Sequence, residues 1–200
     1  KDLNRKLHNN ILKGKYSIDK NGAISFLPYK PYFKGNNYQK KIELHLSSST
    51  VKTFFSLEFY LEYIATEGAF LIIDEPELNL HPNNQRNIAR LIVQIINRGV
   101  NVILSTHSDY IVRELNNLIM LSSDFKSRDE KMKKFKYDES EILSVKDVNA
   151  YFINGGTVTP MEINEDEGII ADTFDKVINS LNSSSDEIYY SKIEDREDIE

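Results

Sequence analysis

No cysteine occurs in the 200 residues of this chain. That absence excludes a disulfide framework, a thiolate nucleophile and a cysteine zinc site, and it accords with a cytoplasmic setting. Nor is there an apolar stretch near the roughly 20 residues that a membrane span requires, so no membrane partner is expected. No signal peptide opens the chain, and no internal repeat runs through it. Acids are scarce at one end and bases at the other. Up to Lys41 the acids are Asp2 and Asp19 alone, and beyond Met161 the bases are Lys176, Lys192 and Arg196. The net charge of −6 argues against bulk electrostatic binding of nucleic acid, although the basic end leaves local phosphate contacts open. A hydrophobic fraction of 40% and a charged fraction of 28% are those of a soluble globular chain with a core. The sequence begins at Lys1 rather than at a methionine, and we expect it to be part of a longer protein.

Local patterns divide the chain into 1–40, an amino-terminal hairpin and loop; 41–181, the main lobe; and 182–200, an acidic tail. Asn21-Gly22 sets a hairpin between residues 15–19 and 23–27, and Pro28, Pro31, Gly35, Asn36 and Asn37 mark a loop. Residues 42–46 alternate as a half-buried strand does. Residues 47–50 cap a helix over 51–66 that is apolar on most sides. Pro82 suits the first turn of a helix striped by Ile88, Leu91, Ile92, Ile95 and Ile96, with Gly99 at its end. Residues 100–104 form the next strand, 108–116 a short helix and 118–121 another buried strand. Residues 124–138 read as an exposed lysine-rich helix or loop. Asn154-Gly155-Gly156 turns a second hairpin, 170–181 is weakly helical, and the serines and acids from Asn182 onward predict a weakly ordered tail.

One segment carries more chemistry than the rest. Residues 70–73 are an unbroken apolar run that ends abruptly in Asp74 and Glu75. Such a run reads as a buried strand of a parallel sheet. Ligands of open α/β sheets lie beyond the carboxyl ends of the strands, where these acids fall. Neighbouring side chains alternate in direction, so one acid is free to hold a metal while the next orients a water.

Three elements then stand in order. Leu46-Ser47-Ser48-Ser49-Thr50 resembles a degenerate ABC signature motif in which Ser48 and Ser49 replace the usual glycine pair. Residues 70–75 resemble a Walker B strand, and Pro76-Glu77-Leu78-Asn79-Leu80-His81-Pro82 resembles the D-loop after it. His107 resembles the switch histidine of the H-loop. Residues 44–121 together resemble the carboxyl-terminal lobe of ABC-type ATPases of the RecF, SMC and OLD group. The wording of 74–82 is similar to the OLD-like ATPases of bacterial phage-defence systems. The fold this implies is α/β, a parallel-sheet P-loop NTPase lobe with peripheral β-hairpins.

By the resemblance, Asp74 holds Mg²⁺ through oxygen ligands, and Glu75 polarises the water that attacks ATP. His107 senses the γ-phosphate. Ser47, Ser48 and Ser49 face a nucleotide held by a second subunit, as a helix start favours an anion, and Asn79 and His81 belong to the D-loop beside it. The implied partners are a second copy of the chain across ATP and an upstream lobe that carries Walker A. The pattern Gly-x-x-x-x-Gly-Lys-Ser/Thr is absent here: at Gly14-Lys15, Asn9 and Tyr16 occupy the glycine and hydroxyl positions. The chain alone is therefore expected to bind ATP weakly and to hydrolyse none detectably. An effector nuclease or DNA is a further possible partner, and the alternatives are an ATPase partner of a TOPRIM-type nuclease and a non-catalytic docking module using the basic segment 126–136. A TOPRIM site needs spaced acids at strand ends, and beyond His107 none is found.

Overall fold

A computed structural model gives the structure of residues 2–29 and 41–197. The loop expected around Pro31, Gly35, Asn36 and Asn37, and the last three residues of the tail, lie outside the described residues. Helix α1 (Asp2–Lys6) runs into a π-helical turn, Leu7–Leu12, and together they bury Leu3, Leu7, Ile11 and Leu12. The expected hairpin comes next: β1 (Gly14–Ile18) pairs antiparallel with β2 (Ile24–Pro28). Gly22 turns it at φ 82°, a left-handed conformation open to glycine at little cost.

β2 pairs in turn with β3 (Ile42–Glu43). The strand expected over 42–46 stops there, because the Leu44 carbonyl accepts the Ser47 N–H at 3.1 Å and bends Leu44–Leu46 into a 3₁₀ turn. Helix α2 (Ser49–Tyr63) buries one face, Val51, Phe54, Leu57 and Leu61, and not most of its sides. Phe59 and Tyr63 stand exposed and contact each other at 4.8 Å between ring centroids.

The βαβ unit then forms as its periodicities dictate. Strand β4 (Phe70–Asp74), helix α3 (Pro82–Ile96) and strand β5 (Asn101–Ser105) succeed one another, and β4 pairs parallel with β5 in a register that sets Phe70 against Asn101 and Asp74 against Ser105. Two expectations fail here. The first is the strand over 118–121: α4 (Asp109–Met120) runs through it, with Leu118 and Ile119 fully buried. Ile111, Leu115 and Leu118 continue a helical stripe, and a short apolar run by itself does not distinguish strand from helix. Among the described residues the parallel sheet therefore has two strands. The second is burial of β4 on both faces. Leu71 and Ile73 pack on the core, but Phe70 is 67% and Ile72 72% exposed, as is Ile103 of β5 at 56%. The helices cover one side of the pair, and the alternation of side chains turns the other apolar row outward.

A smaller core joins Val93 of α3 and Leu118 and Ile119 of α4 to Leu143 and Ile169. Around it lie α5 (Arg128–Phe135), the exposed hairpin of β6 (Tyr151–Asn154) with β7 (Thr157–Pro160), and the short pair β8 (Ile163–Asn164) and β9 (Gly168–Ile169). Helix α6 (Asp172–Glu197) replaces the weakly ordered tail expected from Asn182. Composition reports whether a segment can be buried, and the described side chains from Asn182 to Tyr190 are exposed, Ile188 and Tyr189 among them. Its helical bonding is local, with Ser184 Oγ returning a bond to the Ser180 carbonyl at 2.8 Å. No helix among the described residues is long and apolar enough to cross a membrane.

Candidate functional site

The parallel register places Asp74 beside Ser105 at the carboxyl ends of β4 and β5. Ser105 Oγ donates to Asp74 Oδ1 and accepts the Glu75 N–H at 3.2 Å, while the same N–H approaches the Ser105 carbonyl at 3.1 Å. Glu75 takes φ 44°, a left-handed conformation that a non-glycine residue adopts at a cost and that clusters at functional sites. The bend turns the chain abruptly out of the strand. Beyond it, Leu78 N–H bonds the Glu75 carbonyl at 3.1 Å and Leu80 N–H bonds the Glu77 carbonyl at 2.9 Å, with Asn79 left-handed at φ 61°. Asparagine tolerates that region better than most residues.

β5 delivers His107 to the same end of the sheet. Its Nε2 lies 3.4 Å from Glu75 Oε1, with the histidine side chain 87% and the glutamate side chain 35% exposed. Asp74, Glu75 and His107 thus form one group along the strand ends, open to solvent. No three His, Cys, Asp or Glu side chains among the described residues are arranged to hold a metal ion. A single carboxylate is enough for Mg²⁺ in its usual form beside a nucleotide, where waters and phosphate oxygens complete the shell. Asp74 is the residue that would supply the carboxylate, its Oδ1 held in place by Ser105.

The serines before α2 divide their work. Ser47 is buried, and its hydroxyl donates to the Glu43 carbonyl at 3.1 Å. Ser48 is the N-cap, its Oγ accepting the Val51 N–H at 3.4 Å, and Ser49 is an exposed residue of the first turn. Thr50 Oγ1 donates to the Asn79 carbonyl at 3.1 Å, which joins this helix start to the loop after β4. His81 acts as the N-cap of α3, with Nδ1 accepting the Asn83 N–H at 3.3 Å. As a cap, Ser48→Ala should cost about 1 kcal/mol of stability in urea unfolding, whereas Ser49→Ala should stay within about 0.5 kcal/mol. Equal losses from both would remove the capping assignment.

Sequence reasoning named Glu77 within the D-loop wording and Ser105 at the strand end before His107, and gave neither a role. Glu77 Oε1 accepts the His107 N–H at 2.6 Å and the Thr106 hydroxyl at 2.9 Å, so a residue of the loop after β4 grips the loop after β5. A third acid two positions past an acidic pair was the available clue.

The model of the AAA ATPase domain family matches residues 1–112, more than half of the 200. The chain belongs to that family. The matched part of this AAA ATPase domain runs from α1 into α4 and contains every site residue considered above. No curated protein matches the chain. Among solved structures, a chain from work on ATP-driven dimerization and DNA-stimulated activation of SMC ATPases aligns with a TM-score of 0.49 and 12% identity, over 90% of this chain and 88% of that one. The AAA ATPase domain has the α/β architecture of a P-loop NTPase lobe, with its acids at the ends of a parallel strand pair.

Proposed function

We propose that this AAA ATPase domain is the Walker B and switch lobe of a cytoplasmic ATPase that closes head-to-tail as a dimer around ATP and gates an effector. One observation carries the reading: Asp74, Glu75 and His107 converge at the carboxyl ends of a parallel pair, with Glu75 held in a left-handed bend and 3.4 Å from the histidine. Asp74 serves Mg²⁺, Glu75 the attacking water and His107 the γ-phosphate. These are the positioning and electrostatic tasks of phosphoryl transfer. A segment carrying Walker A supplies most of the grip on the phosphates. Ser48 and Ser49, exposed at the start of α2, are the groups presented to a nucleotide held by the second copy. The wording of residues 74–82 supports an effector in phage defence.

The basic segment 126–136 supports a docking module less well. Arg128 is committed to Glu139 through two bonds of 2.8 and 2.9 Å, and Asp129 and Glu130 interrupt the lysines.

The test is ATP turnover and light scattering on the protein with its Walker A segment. Hydrolysis, with dimers formed in ATP and lost in ADP, is the expected result. Neither turnover nor a nucleotide-dependent change in mass would overturn the proposal and leave docking as the better reading.

A further inference from the structure

We infer that Glu77 is a positioning residue of this site: its carboxylate locks the loop bearing Glu75 to the loop bearing His107, and so fixes the distance between the water-orienting acid and the phosphate-sensing histidine. The inference deepens the ATPase reading and rests on it for its catalytic consequence.

The His107 imidazole is 87% exposed, so packing does little to hold it. Its location is set by its backbone, and the His107 N–H donates to Glu77 Oε1 at 2.6 Å. A bond from an amide to an ionised carboxylate is of the stronger, charge-assisted kind. The same oxygen takes the Thr106 hydroxyl at 2.9 Å, so two successive residues of the switch loop end on one atom. Glu77 is itself rigidly mounted. Its carbonyl closes a turn with Leu80 N–H at 2.9 Å, between the left-handed residues Glu75 and Asn79.

A second path joins the two loops through Ser108 and shares with Glu77 only the Thr106 hydroxyl. Ser108 N–H donates to Thr106 Oγ1 at 3.0 Å, Ser108 Oγ to Gln85 Oε1 at 2.5 Å, and Gln85 Nε2 to the Leu80 carbonyl at 2.9 Å. That path braces the back of the junction and makes no bond to His107, so removing Glu77 should free the histidine without dismantling the fold.

Glu77 Oε2 separates positioning from turn closure. It is buried and has no hydrogen-bond partner among the described residues. A buried carboxylate oxygen without a donor is unfavourable, and a residue that served only to close a turn would gain nothing from it.

The experiment has two arms. In NMR of this chain, the His107 amide of the wild type should be shifted far downfield and slow to exchange. It should move upfield and exchange rapidly in Glu77→Ala, and less so in Glu77→Gln, with Tm little changed. Glu77→Gln keeps the volume of the side chain while removing its charge, and its His107 amide decides the point if Glu77→Ala folds poorly. In the protein with its Walker A segment, Glu77→Ala should lower kcat about 10- to 100-fold, the scale of a misplaced catalytic group. KM for ATP should be nearly unchanged, and Glu77→Gln should recover part of the loss.

A wild type without turnover would sink the ATPase reading, while the NMR arm would still decide whether Glu77 holds His107. Normal kcat in Glu77→Ala, or a His107 amide indifferent to both Glu77 variants, would overturn the inference. So would equal losses of kcat and Tm with that amide unmoved.

Discussion

Turnover should fall by a factor of about 10² to 10⁴ when Glu75 is replaced by Gln, the contribution typical of a positioned acid–base group, while ATP-driven self-association persists. The substitution preserves shape and one oxygen acceptor but removes the negative charge that polarises a water. What holds the bend is backbone: the left-handed φ of 44°, the N–H shared by the Ser105 hydroxyl and carbonyl, and the carbonyl that accepts Leu78 N–H. None of these depends on the carboxylate, so the effect belongs to chemistry rather than to folding. On the barrier it amounts to about 3–5 kcal/mol. Pre-steady-state hydrolysis, with sedimentation in ATP alongside, makes the comparison. Turnover within a few-fold of wild type would remove Glu75 from the catalytic role. Loss of both hydrolysis and ATP-dependent dimers would show that it serves nucleotide binding instead.

The features legible in the sequence were those written in contiguous residues. Asn21-Gly22 named its hairpin, Pro82 opened α3, and the apolar run into Asp74 and Glu75 located the strand end. Each depends on local backbone preference or on a period that fits within a single element. Burial was less legible, because it depends on what covers a face. The run 70–73 is equally apolar on both sides, yet Phe70 and Ile72 face outward while Leu71 and Ile73 pack inward. The end of α4 was misread because Leu118, Ile119 and Met120 suit a strand until Ile111 and Leu115 are counted with them. Helix α6 was hidden by a composition rich in serine and acid. Least legible was the tie from Glu77 to His107, thirty residues apart. It exists only because β4 and β5 lie in parallel register, so no window on the sequence contains it.

Removing the Glu114 carboxylate is the structural counterpart, and Glu114→Ala should destabilise the protein by about 3 kcal/mol. Glu114 of α4 is 1% exposed and accepts bonds from Arg86 Nε at 2.6 Å and Arg90 Nε at 2.5 Å, both on α3. Breaking a buried ion pair from one side leaves the other charge without compensation, which is the expensive way to lose it. The two arginines do not suffer equally. Arg86, 41% exposed, can swing to water. Arg90 is 16% exposed, but it keeps the Lys136 carbonyl at 3.0 Å, the Tyr137 ring at 4.2 Å and a second acid, Glu141 Oε2, at 3.8 Å. These remaining partners keep the expectation at the lower end of the range for buried pairs. Arg86 and Arg90 lie on α3 and Glu114 on α4, so the cluster clamps these two helices to each other. Replacing all three by apolar residues of similar volume (Arg86→Met, Arg90→Met, Glu114→Leu) should restore stability to within about 1 kcal/mol of wild type, since a buried ion cluster costs much of its attraction in desolvation. Urea unfolding of the single and triple variants decides it. A triple variant as unstable as Glu114→Ala would mean that the network does more than compensate its own charges, and that α3 and α4 depend on it for their register.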